Sequence, residues 1–486
     1  MHSQSFPALQ SRRQFIRQAA CAAVGTAALT ASLRDLRLMN AAVAQSNISD
    51  YRALVCIFLQ GGNDSNNLIL PTIQAEYDDY ATIRSPVLAI PGSAILPISP
   101  LNSDSHEYGL HPACPELQTL FGEGKLAILF NTGTLVYPLT RAQYLSGAPK
   151  KPPQLFSHSD QVAQWQTSIP DQPPLTGWGG RCADLLAAVQ PDAPISLLVT
   201  LAGANTFEVG NRASLYAVST SGAIALSGVS GARLQTLTNI LALPYDNLQQ
   251  QSYAKVAKHS IDTGTLLNAA IAPTGSASFW TIPFPATITT PNTSPPVTFN
   301  SALGPQLRMV ARLIEAGHRA AAGGGFGLKR QIFFCQIGGF DLHTNQTPGP
   351  GQTSIGSHAN LLAELSQGMF AFQRAMEQLG LANNVTAFTA SDFGRTFPSN
   401  GQGSDHGWGS HHLILGGAVK GQHTYGRFPT LAINGPDDTS TGRWIPAIAV
   451  DQYFATLATW FGVDSGNLGT VFPNLNRFST PNLGFV

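Results

Sequence analysis

The sequence predicts an α/β fold built on a mostly parallel, doubly wound sheet, and three observations predict it. Short, nearly continuous apolar runs occupy residues 53–59, 331–337 and 385–390, the pattern of strands covered on both faces. Segments with helical apolar spacing, 307–314 and 361–376, separate or flank them. Each of these runs leads into an aspartate: Asp64, Asp341 and Asp392. Strand–helix–strand alternation brings the strand ends to one edge of the sheet, where open α/β sheets bind their ligands.

The elements follow in order. Residues 1–44 read as an export leader. Ser11-Arg12-Arg13-Gln14-Phe15-Ile16 precedes an Ala-rich stretch at 19–31, and Ala42-Val43-Ala44 offers a small-residue cleavage site. Paired arginines before a weakly apolar stretch predict passage through the Tat translocase as a folded protein. The expected destination is the bacterial periplasm or the exterior. Residues 45–486 read as one domain. The strand at 53–59 opens the sheet. A helix at 114–121, introduced by His111-Pro112, leads to a strand at 126–131. Ser157-His158-Ser159-Asp160-Gln161 starts a polar-capped segment, and 194–201 is a further strand. From 203 to 300 the alternation weakens and Ser, Thr, Gly and Pro accumulate, as in TTPNTSPP, which predicts a loop-rich inserted cap. Regularity returns with a helix near 307–314, the strand at 331–337, a long helix ending at Gly380, strands at 385–390 and 413–415, and a final helix at 452–461.

Composition narrows the function. The 27 basic residues balance 27 acidic ones, and only 11% of the chain is charged. That balance argues against nucleic acid as a partner. Past the leader no apolar run is long enough for a membrane span. Of five cysteines, Cys21 lies in the leader, Cys56 and Cys335 fall inside strands, and Cys114 and Cys182 lack metal-type spacing. Neither a cysteine zinc site nor reliance on disulfides is expected.

The chemistry-bearing residues concentrate at the strand ends. Asp341 and His343 leave one strand as alternate residues and need only a slight turn to share an ion. Asp405, His406, His411 and His412 crowd a Gly-rich stretch. Carboxylates mixed with imidazoles suit a divalent cation such as zinc or manganese. Asp64 and Asp392 are candidate ligands as well, although Asp64 could instead close an Asx-turn and Asp392 could pair with Arg395. Asp405 could orient His406 from behind. Ser157 is a candidate nucleophile or simply an N-cap, with His158 of similar standing and Ser65 a second hydroxyl. Arg395 is a candidate for gripping an anionic ester. His111, His259, His318 and His358 read as surface or helix-end residues.

Together the leader and the motifs QGGNDSNN, SHSDQVAQWQTS, GGFDLHTNQ, ASDFGRT and GSDHGWG resemble a bacterial family catalogued as domain of unknown function fifteen-oh-one. That family is similar to the alkaline phosphatase–sulfatase superfamily. The resemblance implies an alkaline-phosphatase-like sheet and a centre of one or two ions. It gives Asp64 the role of first aspartate, and Asp341 with His343 the paired role at a shorter spacing than usual. Asp392 would stand at an Asp-His position where Phe393 replaces the histidine. His406 would supply the missing imidazole, and His411 or His412 the last ligand. The function expected is an exported metal-dependent hydrolase of a phosphate or sulfate ester. The alternative is a non-catalytic exported binding or scaffold protein with an exported protein partner. A blue-copper oxidase is set aside, because Cys335 has no neighbouring histidine and the repeated His-x-His pattern is missing.

Overall fold

The apolar runs at the start of the chain and in its second half become the centre of one sheet. The computed structural model describes residues 48–102, 104–271, 283–291 and 293–486, and the leader read over 1–44 lies outside them. In chain order the sheet takes β1 (Arg52–Leu59), β2 (Leu126–Gly133), β3 (Leu198–Thr200), β4 (Tyr216–Ser219), β5 (Gly222–Ala223), β6 (Arg330–Ile337), β7 (Val385–Ser391), β8 (Ser410–Leu415), β9 (Thr424–Tyr425) and β10 (Ile448–Ala449). Their spatial order is β9-β2-β8-β7-β1-β6-β3-β4-β5, with β10 also paired to β2. β1 runs parallel to both β6 and β7. β8 is antiparallel to β7 and β2, and β5 to β4, so the sheet is mixed but mostly parallel.

The main helices are α1 (Gln74–Leu88), α2 (Pro115–Gly122), α3 (His158–Thr167), α4 (Trp178–Leu186), α5 (Ala232–Leu241), α6 (Leu248–Ala270), α7 (Leu303–His318), α8 (Ser357–Gln378) and α9 (Val450–Phe461). Successive side chains of a strand point to opposite faces. On β1, Ala53, Val55, Ile57 and Leu59 join the core formed with α2, α7 and α8. Leu54, Cys56 and Phe58 join the core formed with α3, α4 and α9. Each fully buried Leu, Ile or Phe contributes roughly 1.5–3 kcal/mol relative to exposure. With both faces covered, the centre of the sheet must be apolar throughout, which is why its strands lack alternation.

Three expectations change in detail. The strand at 194–201 contracts to β3. Ser196 turns its hydroxyl to accept the Leu198 N–H at 3.1 Å, and regular pairing starts only there. The strand at 413–415 begins earlier, at Ser410, so His411 and His412 belong to β8 rather than to a loop. The segment 203–300 is more regular than its composition suggests, holding α5 and α6 of 10 and 23 residues. Asn247 caps α6 by accepting from the Gln249 and Gln250 N–H groups. Only Ala254, Thr263, Leu267 and Ala270 of α6 are buried, so its apolar stripe is too thin to read as a period. The described cysteines, Cys56, Cys114, Cys182 and Cys335, are buried and free. Among the described residues no helix is long and apolar enough to cross a membrane.

Candidate metal centre

The centre is gathered by the loop that follows β1. Its backbone turns at Gly61 and Gly62, with φ of +114° and +86°. A Cβ on Gly61 would stand 2.4 Å from the Asp341 nitrogen, and one on Gly62 2.5 Å from the Phe393 ring. Only glycine lets this loop lie flat against the segments leaving β6 and β7. The Gly61 N–H also donates to Asp392 Oδ1 at 3.0 Å, tying two strand ends together directly.

Asp341, beyond β6, meets three imidazoles. Its Oδ1 lies 3.2 Å from His343 Nε2 and 3.3 Å from His406 Nε2, and its Oδ2 lies 3.4 Å from His158 Nε2. Ligand atoms of His158, Asp341 and His406 all fall within 4.8 Å of one another. His343 Nε2 is 2.8 Å from His406 Nε2. The group is open: the Asp341, His343 and His158 side chains are 47%, 41% and 34% exposed.

The other nitrogen of each ring decides what these atoms carry. His158 Nδ1 sits 2.7 Å from Asp392 Oδ2, His343 Nδ1 2.9 Å from Asp405 Oδ1, and His406 Nδ1 2.7 Å from the Phe156 carbonyl. A carbonyl or carboxylate oxygen only accepts, so each Nδ1 carries the proton. In its neutral form such a ring presents a bare Nε2 lone pair towards Asp341. Two such lone pairs 2.8 Å apart repel unless a proton or cation lies between them. Imidazoles anchored through one nitrogen by an oxygen acceptor are the arrangement that orients metal-binding histidines. The imidazole-to-carboxylate separations of 3.2–3.4 Å are close to the roughly 3.3 Å edge of a tetrahedron with bonds of about 2.0–2.1 Å. His158, Asp341 and His406 are the set whose ligand atoms converge, with His343 closer than that edge to His406. The donor set therefore fits a divalent ion.

Charge around the centre follows its burial. Burial acts to raise the Asp341 carboxyl, but Arg395, His158 and His343 together hold it below the usual range. Asp392 is almost wholly buried, and that raises its carboxyl despite the Gly61 N–H and His158. Burial acts to raise Asp405 too, yet bonds from Asn400 and His343 bring it down. Burial lowers His406, favouring its neutral, ligating form.

Sequence reasoning placed Asp341, His343 and His406 in this group and missed the part of His158 as a donor. Asp392 reaches the centre through His158 rather than as a donor of its own. Phe393 lies against both the His158 and His406 rings, at centroid distances of 4.8 and 4.7 Å, and so spaces them. Phe156 carried no sequence signal beyond adjacency to Ser157. It holds a left-handed φ of +72° that aims its carbonyl at His406, a strained conformation of the kind that persists where surroundings fix it.

The remaining candidates, Arg395 excepted, are engaged away from the donors. Asp64, 2% exposed, is ion-paired to Arg84 and accepts from Gln346 through the same oxygen. Arg84 also donates to the Thr396 and Phe397 carbonyls at 3.2 and 2.9 Å. Burial works to raise Asp64, but Arg84, His358 and Gln346 outweigh it and hold the carboxylate ionised. His411 Nδ1 accepts the Asn131 N–H at 3.0 Å, and its ring packs on Phe130 and Phe428. His412 faces the other side of β8, 4.7 Å from the Trp165 ring. Ser157 turns its hydroxyl to donate to Asp160 at 2.6 Å, and Ser65 accepts from the His411 N–H at 2.9 Å. Arg395 is fully buried. Its Nη2 donates to Asp341 Oδ1 at 2.8 Å, and its Nε and Nη1 are enclosed by protein, not presented at the surface. His259 and His318 are exposed as expected, whereas His111 and His358 are core residues. His358 Nε2 donates to Asn63 Oδ1 at 3.1 Å.

A family model described as Protein of unknown function (DUF1501) matches residues 51–465. Comparison with curated proteins finds no match. Among solved structures the chain is similar to Ps i-CgsB in complex with k-i-k-neocarrahexaose, at 9% identity over 89% of this chain and 78% of that one, TM-score 0.33. It is similar to the PsFucS1 sulfatase from Pseudoalteromonas sp., at 9% identity over 88% and 72%, TM-score 0.30. It is also similar to the phosphonate monoester hydrolase of Agrobacterium radiobacter, at 11% identity over 85% and 74%, TM-score 0.27.

Proposed function

The chain belongs to the family described as Protein of unknown function (DUF1501), and from that premise we propose that it is an exported hydrolase of a phosphate or sulfate ester with one divalent ion at Asp341. One observation carries the reading: three separately anchored imidazoles turn bare nitrogens towards one half-exposed carboxylate. His158, His343, His406 and Asp341 would hold the ion, and three imidazoles with one carboxylate favour zinc over manganese. A divalent ion, when bound, acidifies water and offsets charge on an ester oxygen.

The chain's own groups account for the rest. Asp392, Asp405 and the Phe156 carbonyl fix each ring's tautomer and aim. Arg395 keeps the Asp341 carboxylate ionised from the buried side. With the Ser157 hydroxyl given to Asp160, the attacking group in this reading is water, not a serine. The same observation supports the second reading, a non-catalytic exported binding protein that keeps the centre. Elemental analysis of the purified protein, with hydrolysis of a generic aryl phosphate and aryl sulfate, tests the proposal. Asp341→Ala should abolish stoichiometric metal and turnover together. Unchanged metal and turnover in that variant would end the hydrolase reading. Wild-type protein that holds metal but turns over neither ester favours the binding protein.

A further inference from the structure

Arg395, the arginine that the sequence offers for an anion, is sealed inside and engaged with Asp341. Another arginine stands at the rim. Arg443 Nε donates to the His406 carbonyl at 2.7 Å, and its guanidinium lies 4.2 Å from the centroid of the Phe156 ring. Both partners belong to the centre: His406 offers an Nε2 lone pair, and Phe156 anchors the same ring through its carbonyl. Arg443 is part-exposed, and its two terminal nitrogens take no hydrogen bond and are not enclosed among the described residues. A guanidinium held by one nitrogen and one aromatic face is a pre-organised fork with its outer donors free.

The surroundings reinforce the charge. Tyr144 lies beside Arg443, which counters the rise that burial imposes on its phenol. Lys151 Nζ stands 4.2 Å over the Tyr144 ring, adding a second cation to this rim. Of the carboxylates here, Asp405 is engaged with His343 and Asn400. Asp438, which also faces Tyr144, accepts the backbone N–H groups of Asn434, Ser440, Gly442 and Arg443 itself.

We propose that Arg443 is the specificity-determining residue of the centre, taking the anionic oxygens of a phosphate- or sulfate-bearing substrate in its outer N–H fork. The proposal rests on the ester reading above and names the residue that would make that site select an anion. It also gives a reason for the strained Phe156: one residue positions both the imidazole and the arginine.

The test is calorimetric titration of the metal-loaded full-length protein with inorganic phosphate and, separately, inorganic sulfate, with metal stoichiometry measured on each sample. Arg443→Ala should keep its ion and weaken anion binding about tenfold or more, the scale of a lost charge-assisted hydrogen bond. Arg443→Lys should fall between, because an ammonium keeps the charge but not the fork. If Arg443→Ala loses the ion, Arg443→Lys decides. Weaker anion binding with full metal supports the assignment, and unchanged binding overturns it. Unchanged anion affinity in a metal-loaded Arg443→Ala overturns the Arg443 assignment alone. Metal-loaded wild-type protein that binds neither anion overturns the assignment and the ester reading together.

Discussion

The open cluster around Asp341 and the buried nest around Asp64 start from the same sequence feature, an aspartate just past a central strand. Asp341 is half exposed and faces three imidazole lone pairs. Asp64 is 2% exposed and faces the guanidinium of Arg84. Arg395 joins the two electrostatically, bonded to Asp341 and stabilised by Asp64. Both aspartates are paired to a buried arginine, so the contrast lies in access: Asp341 keeps an exposed side turned to imidazoles, whereas Asp64 is closed in. At Asp64 the arginine and the surrounding core leave no room for an exchangeable cation. Local backbone strain accompanies that pairing, since α1 breaks right after Arg84, with Ser85 at φ +59° and Pro86 following.

The largest effect separates the two regions by stability. Asp64→Ala strands the Arg84 charge in the interior, which should cost about 3–5 kcal/mol in denaturant unfolding. The folded fraction should keep its metal. Loss of the ion without loss of stability would merge the two regions into one centre.

An intermediate effect sharpens the outer region. Asp392→Ala and Asp405→Ala each remove the acceptor behind one imidazole, at His158 and His343. Each should weaken metal binding roughly 10–100-fold in competition with a chelating dye, the usual penalty for losing such a partner. Equal affinity in both variants would mean that these rings are not ligands.

The smallest effect is a pH dependence from the inner region. Burial lowers His358 to about 4. In the unfolded chain a histidine titrates near 6.5. The unfolded state therefore binds more protons between those values, and stability falls as pH drops from about 6.5 towards 4, by at most about 1.4 kcal/mol per unit from this group. Above 6.5 the contribution is fully present. His358→Gln should flatten that part of the profile of thermal midpoint against pH. An identical slope in the variant would show that His358 is not held neutral.

The sequence made the sheet legible because strands buried on both faces leave runs with few alternative readings, as at Ala53 to Leu59. Asp341-Leu342-His343 was legible too, since alternate residues at a strand end stay close whatever the tertiary fold. Asp64 was not, because its partner Arg84 lies 20 residues on in a helix whose orientation no local pattern fixes. His158 was hidden for a similar reason: its tie to Asp392 spans 234 residues, and only packing of α3 against the sheet creates it. His411 and His412 looked like loop ligands because Gly-rich flanks concealed β8, whose pleat sends the two rings to opposite faces.

Anomalous diffraction from a zinc-loaded crystal tests the central claim most directly. A single peak bounded by Nε2 of His158, His343 and His406 and by the Asp341 carboxylate, with Arg84 still on Asp64, is the predicted result. A peak at Asp64 with Arg84 displaced, or no peak beside Asp341, would contradict it.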